Sequence, residues 1–208
     1  MSAAITMAPA ATAQGAAWRD LVKSAARGAA ALSVLVHVLV YRAAMRLFGP
    51  RAFAWASQRA SRWTGLVGIY RRRALLRLLG AEIAQDSTIE LGTIFSKSTI
   101  VIGAGAYIGA YCCLGDVRIG EKAMLADGVC IPSGAHQHGT ARLDIPMADQ
   151  AGCYETVHIG RDCWIGSRAV VMADVGDGAI VAAGAVVVQR VEAATVVAGV
   201  PARPVSRR

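Results

Sequence analysis

The chain has 208 residues, 55% of them hydrophobic and 17% charged. That is enough apolar material for one substantial domain plus an appendage, and it excludes a largely disordered chain. The net charge of +8 is lopsided: residues 1–80 carry 12 Lys/Arg against one acid, Asp20, while residues 81–208 carry 10 against 13. A basic patch can attract nucleic acid or anionic lipid. Here no recognised nucleic-acid motif accompanies the arginines, and a run rich in Leu, Val and Ala leaves little polar face for phosphates.

Residues 1–17 read as an Ala-rich tail without the pattern of a secretory signal. The five cysteines, Cys112, Cys113, Cys130, Cys153 and Cys163, form no CxxC and are odd in number. Free thiols in a reducing cytoplasm follow, with burial as small hydrophobes as the simplest role.

Residues 18–80 predict helices, with Gly49-Pro50 as the clearest break and Gly80 as a cap. Gly28 to Tyr41 is free of formal charge but shorter than the roughly 20 residues of a spanning helix. Trp18, Trp55 and Trp63 stand among arginines, a mixture suited to a membrane–water interface. Three readings of this segment stay open: peripheral contact with the inner face of the membrane, packing against its own domain or a sister subunit, and a true span.

From Ile83 a different rhythm begins. An aliphatic residue returns every six positions, commonly followed by Gly or another small residue. It is faint at Ile89 and Phe95 and plain at Ile102-Gly103, Ile108-Gly109 and Leu114-Gly115. Ile119-Gly120 arrives one early, Leu125-Ala126 and Ile131-Pro132 restore the spacing, and the beat returns at Ile159-Gly160, Ile165-Gly166 and Val171, then Val175, Val181 and Val187. Period six fits neither a helix nor a half-buried strand. It predicts a solenoid of short strands joined at tight corners, each strand sending one aliphatic side chain into a narrow interior. The domain spans 81–205 and is interrupted by an inserted loop at 133–157 holding Ser133-Gly134-Ala135-His136-Gln137-His138-Gly139, then Arg142, Asp144 and Asp149. Insertions in solenoids map to one face, often the binding face.

Two later runs are more specific: Val157-His158-Ile159-Gly160-Arg161-Asp162-Cys163-Trp164-Ile165-Gly166-Ser167 and Ala182-Ala183-Gly184-Ala185-Val186-Val187. They are followed by Val197-Ala198-Gly199-Val200-Pro201-Ala202-Arg203. With these the chain resembles the hexapeptide-repeat acyltransferases, a left-handed parallel β-helix family that includes maltose, galactoside, serine and streptogramin acetyltransferases and acetyltransferases of polysaccharide clusters. The resemblance covers about Ile83 to Val205. It implies a mainly β fold behind an N-terminal helical segment, acetyl-CoA as co-substrate with no metal, and a hydroxyl of a saccharide or saccharide-like acceptor. It also implies a homotrimer.

On the same resemblance His136 is the general base, with His138 in reserve. An imidazole near pKa 6.5 can accept a hydroxyl proton at neutral pH, and an acceptor on its second nitrogen fixes the tautomer; Asp127 and Asp144 are the nearby carboxylates for that role, and a backbone carbonyl would serve as well. Trp164, Gly166, Ser167, Ala183, Gly184, Ala185, Arg190, Pro201 and Arg203 are the implied coenzyme residues. The small ones allow close backbone approach, the arginines suit phosphates, Pro201 packs on adenine, and Trp164 walls the acceptor site or covers a coil end. Two departures stand out: a short corner at Met172-Ala173-Asp174, and Val200 where relatives often carry Asn.

Other readings share the fold. They are transfer to an amine or to an antibiotic hydroxyl, a membrane-tethered scaffold without catalysis, and a γ-type carbonic anhydrase-like metalloenzyme using His136, His138 and His158. Zinc would need three convergent ligands, and the spacing expected on stacked coils is missing.

Overall fold

The computed structural model describes residues 13–208, with side chains from Ala17 onward. Residues 1–12 of the expected tail lie outside the described residues, and 13–17 open the first helix. Four helices come first: α1 (Ala13–Ser33), α2 (Leu35–Phe48), α3 (Arg51–Ser61) and α4 (Gly65–Leu78). The break at Gly49-Pro50 separates α2 from α3, as expected. A second break, at residues 62–64, turns into α4 through Gly65 at φ +67.

The rest winds into about six coils. The first coil is β1 (Glu82–Ile83), β2 (Thr88–Ile89) and β3 (Ile94–Phe95), and the second is β4 (Val101–Ile102), β5 (Tyr107–Ile108) and β6 (Cys113–Leu114). The third is β7 (Val117–Ile119), β8 (Met124–Leu125) and β9 (Cys130–Ile131). After the insertion come β10 (Val157–Ile159), β11 (Trp164–Ile165) and β12 (Val170–Val171), then β13 (Ile180–Val181) and β14 (Val186–Val187). β15 (Thr195–Ala198) and β16 (Arg203–Arg207) close the chain. Strands stack in parallel into three sheets: β1-β4-β7-β10, β2-β5-β8-β11-β13-β15 and β3-β6-β9-β12-β14. β16 returns antiparallel on β15. Single bridges through Val175 and Val191 carry the first sheet into the last coils. This is the left-handed parallel β-helix architecture.

The six-residue beat has a direct physical reading. Each two-residue strand presents its first side chain outward and its second inward, and every beat residue from Ile83 to Val187 is buried. The position two before the beat also points in. There Ser87, Thr93, Ala106, Cys112, Ala123, Cys163, Ala169 and Ala179 form stacks of small side chains filling the prism between the large ones. Each buried aliphatic contributes roughly 1.5–3 kcal/mol. The residue after the beat is small because coils nearly touch there. A Cβ on Gly166 would sit 2.4 Å from the backbone nitrogen of Ala183 in the next coil, and one on Gly103 would sit 2.7 Å from that of Glu121.

Irregular spacing is confined to one corner. Within every coil the beat is six, whereas the step from the third sheet back to the first is seven at Phe95–Ile102, five at Leu114–Ile119, and four at both Val171–Val175 and Val187–Val191. The short corner at 172–174 is thus one of a pair. The insertion occupies the same corner, at residues 132–156; Val157, assigned to the loop from sequence, is the first residue of β10.

A solenoid pairs its backbone only with the coils above and below, so the first coil has polar groups with no coil to receive them. Helices α3 and α4 cover that end. Arg72 donates to the carbonyl of Ile89, Arg73 to that of Ser87 and Arg77 to that of Ile83, while Ser57 Oγ accepts the Phe95 N–H at 2.8 Å. Arg72 also ties α3 and its exit to this cap through Ala60 O at 3.2 Å and Trp63 O at 2.6 Å. Arg72 and Arg73 are buried, and burial lowers the pKa of both guanidiniums from its ordinary value. Part of the basic run read as a surface feature is therefore internal scaffolding.

Removing this cap leaves several buried carbonyls without donors, each costing roughly 1–3 kcal/mol. Arg72→Ala is expected to lower stability by about 3 kcal/mol or more in urea unfolding, while Arg59→Ala on the exposed face of α3 stays within about 0.5 kcal/mol.

Candidate active site

The insertion is a pinned loop rather than a loose one. At its neck, Ser133 is buried and its Oγ accepts the Asp116 N–H at 2.8 Å. Glu155 N donates to Ser133 O at 3.0 Å, and Cys153 N donates to His136 O at 2.7 Å. The outgoing and returning chains press together at two glycines. A Cβ on Gly152 would lie 1.9 Å from Gln137 O, and one on Gly139 2.7 Å from Ala151 O. Further out, Arg142 pairs with Asp144, and Gln150 clamps Arg142 through its backbone N–H (3.1 Å) and carbonyl (2.7 Å). Leu143 at the tip is 99% exposed.

This holds the backbone on both sides of His136 and leaves its ring exposed with no hydrogen-bond partner among the described residues. His138 is likewise exposed. Neither proposed orienter reaches His136. Asp144 is engaged by Arg142, which holds its carboxyl below the ordinary range. Asp127 sits on another edge of the prism and accepts the Ala110 N–H at 2.8 Å. The carboxylate at the neck is Glu155, beside Gly134, where a Cβ would meet its Oε2 at 2.9 Å; sequence spacing gave no signal for it. A cavity of about 380 Å³ lies beside the loop, between Ser133, Gln137 and Tyr154 on one side and Arg51 and Trp55 of α3 on the other, with Lys97 on its wall. Lys97 Nζ lies 4.9 Å over the Tyr154 ring.

The nine coenzyme candidates separate into groups. Gly166, Ser167, Ala183, Gly184 and Pro201 fall along one edge, between the second and third sheets, where stacked corners bond through Arg168 N to Asp127 O (3.0 Å) and Gly184 N to Ser167 O (2.9 Å). Gly184 adopts φ +68 and has open space beside its Cα, so its backbone is approachable; Gly166 instead abuts the next coil. Ala185 does not belong to this edge: its methyl is buried inside the prism, because it occupies the small inward position two before Val187. Arg190 and Arg203 share a cavity of about 570 Å³ at the C-terminal end of the solenoid, with Arg190 paired to Glu192 at 3.7 Å. Trp164 lies on the outward face of the second sheet, 51% exposed, in register with Met124 and then Tyr107.

The cysteines divide too. Cys112 and Cys163 are buried, and burial pushes both thiols up. Cys113 and Cys130 face each other across β6 and β9 on the outer face of the third sheet, below Ser133 and Gln137. A hydrogen bond from the Cys130 thiol brings Cys113 down to about 6 and drives Cys130 up. Irregular coil lengths hide this register from the sequence. Among the described residues no group of three or more His, Cys, Asp or Glu could hold a metal ion; His158 is instead beside Asp174, 3.3 Å from its carboxylate.

Comparison with known proteins agrees with the architecture. Residues 156–189 match the family described as hexapeptide repeat of succinyl-transferase. Galactoside O-acetyltransferase of Escherichia coli (strain K12) is 28% identical over 142 residues, covering 65% of this chain and 68% of that protein. Over these residues the chain is similar to the hexapeptide-repeat acyltransferases. Among solved structures, a maltose O-acetyltransferase from Clostridium difficile 630 superposes with a TM-score of 0.66 at 23% identity, covering 77% of this chain and 87% of that one. A galactoside acetyltransferase in complex with coenzyme A gives 0.52 at 19% identity, covering 76% and 80%.

Because the thiolate is the nucleophile, alkylation of Cys113 is expected to rise through pH of about 6, well below an ordinary thiol. Cys112 and Cys163 should stay unmodified in the folded protein. Peptide mapping after brief iodoacetamide treatment reads this, and Cys130→Ala should move the Cys113 midpoint upward.

Proposed function

We propose that the chain is an acetyl-CoA-dependent O-acetyltransferase acting on a hydroxyl of a saccharide or saccharide-like acceptor, with His136 as general base. The observation that carries this reading is the loop neck, which fixes the backbone around one imidazole and leaves its ring open to an incoming ligand. A ring nitrogen of His136 takes the acceptor's proton as its oxygen attacks the thioester carbonyl, and returns that proton to the departing thiolate, giving an acetyl ester and free coenzyme A. Backbone N–H groups would stabilise the oxyanion. Gly184 and its edge offer approachable backbone for the pantetheine arm, and Arg190 with Arg203 offers guanidinium forks for phosphates.

His136 springs from the corner between the third and first sheets, while the coenzyme edge lies between the second and third. A site completed between neighbouring copies in a cyclic trimer reconciles the two. Supporting it, the second sheet shows Tyr107, Met124 and Trp164 outward, and the loop tip offers Leu143. The five unpaired cysteines suit a reducing cytoplasm.

His136→Ala is expected to lower turnover by about 10²–10⁴-fold while thermal unfolding and coenzyme A binding by calorimetry stay as in the parent chain. His138→Ala should retain most activity. Release of free thiol from acetyl-CoA, followed across a panel of sugar acceptors, measures both; undiminished turnover by His136→Ala would remove that residue from its role.

A further inference from the structure

The N-terminal helices carry a feature that the solenoid's chemistry does not use. On α1 the outward positions include Trp18, Leu21 and Leu32, and on α2 Val36, Leu39 and Leu47, each between 62% and 77% exposed. Trp18 and Leu21, like Val36 and Leu39, are three apart, while Leu32 lies eleven residues, about three turns, beyond Leu21 and Leu47 eleven beyond Val36, so each set falls along one side of its helix. The opposite side of α2 is the packed one: Val34, just before it, and Val38 are buried, and Tyr41 and Met45 lie against the core. The stripe is therefore a second apolar face, not a misplaced core. Arg42 and Arg46 lie beside it on α2, and Lys23 is exposed elsewhere on α1.

We infer that this face docks on an anionic lipid bilayer, with α1 and α2 lying in the interface. Charge selects the occupant. Leaving aside the arginines of α4 that cap the solenoid, α1 and α2 carry Arg19, Lys23, Arg27, Arg42 and Arg46 against Asp20 alone, so pairing the face with the same face of a second copy would oppose like charges, whereas an anionic surface complements them. Geometry selects the mode. Among the described residues no single helix is long and apolar enough to cross a membrane; α1 and α2 together would be, but they bend by 50° at their junction. A bent, one-sided apolar stripe edged by Arg42 and Arg46 suits shallow insertion, in which apolar area and surface charge act together. Phe48 and Trp55, with ring centroids 5.6 Å apart, carry exposed aromatic surface from the end of α2 onto α3, whose Trp55 and Arg51 wall the cavity beside the His136 loop. Docking through this stripe would hold that loop close to the bilayer.

The test uses the full chain, without acceptor or coenzyme, and vesicles of phosphatidylcholine with or without about one-third phosphatidylglycerol. Co-sedimentation at low salt is expected to be at least about tenfold stronger on the anionic vesicles and to collapse near 1 M salt. Val36→Asp with Leu39→Asp should abolish it, and Lys23→Glu with Arg46→Glu should remove the anionic preference, with circular dichroism unchanged. Failure of the parent chain to bind, or equal binding to both vesicle types, overturns the inference. So does a drop in oligomer mass for Val36→Asp with Leu39→Asp with vesicle binding intact, which would make the stripe a subunit contact. Transfer activity is not part of the readout, so the docking surface and the catalytic reading fail separately.

Discussion

Everything in this molecule depends on hydrogen bonds that run in one direction only. Each coil satisfies its backbone through the coil above and the coil below, which makes the interior of the stack self-sufficient and leaves its ends open. At the N-terminal end the solution is chemical rather than topological. Guanidinium groups from α4 take the place of a missing coil and donate to the carbonyls that coil would have paired. At the other end β16 folds back on β15 and covers it. The helical segment is thus bound to the solenoid by the solenoid's own unfinished bonding, and its position over β1, β2 and β3 follows.

The same stacking rule explains where chemistry can sit. Faces and two of the three corners are locked to a six-residue step by side-chain packing and by glycines that allow coils to approach within contact. The third corner is free to vary from four residues to twenty-eight. The loop that carries His136 leaves from that corner, and its neck is made rigid by Ser133, Gly139 and Gly152 rather than by secondary structure. A solenoid supplies a rigid edge, and a pinned excursion from it supplies a positioned side chain.

Much of this was legible in the residues because a short period leaves a strong imprint. Each beat position from Ile83 to Val187 is an inward side chain, and the loss of the beat between Ile131 and Ile159 marks where the chain leaves the prism. What escaped depends on contacts between distant segments. Arg72 and Arg73 look like surface charge in a basic run, and only the first coil's unpaired carbonyls reveal their use. Gly166 reads as an opening for a ligand but is required by the backbone of Ala183, while Ala185 reads as edge and lies inside. Asp127 and Asp144 are near His136 in sequence, yet are taken up by Ala110 and Arg142. The facing of Cys113 and Cys130 needs a register that variable corners conceal.

The excursion between β9 and β10 leaves the ladder intact, since β10 lies directly on β7 and β12 on β9 as though nothing intervened. Length and composition at that point are therefore uncoupled from the folding of the prism, apart from the few residues at the neck. A chain built this way can exchange what it recognises without renegotiating how it folds, and selection can act on the two almost independently.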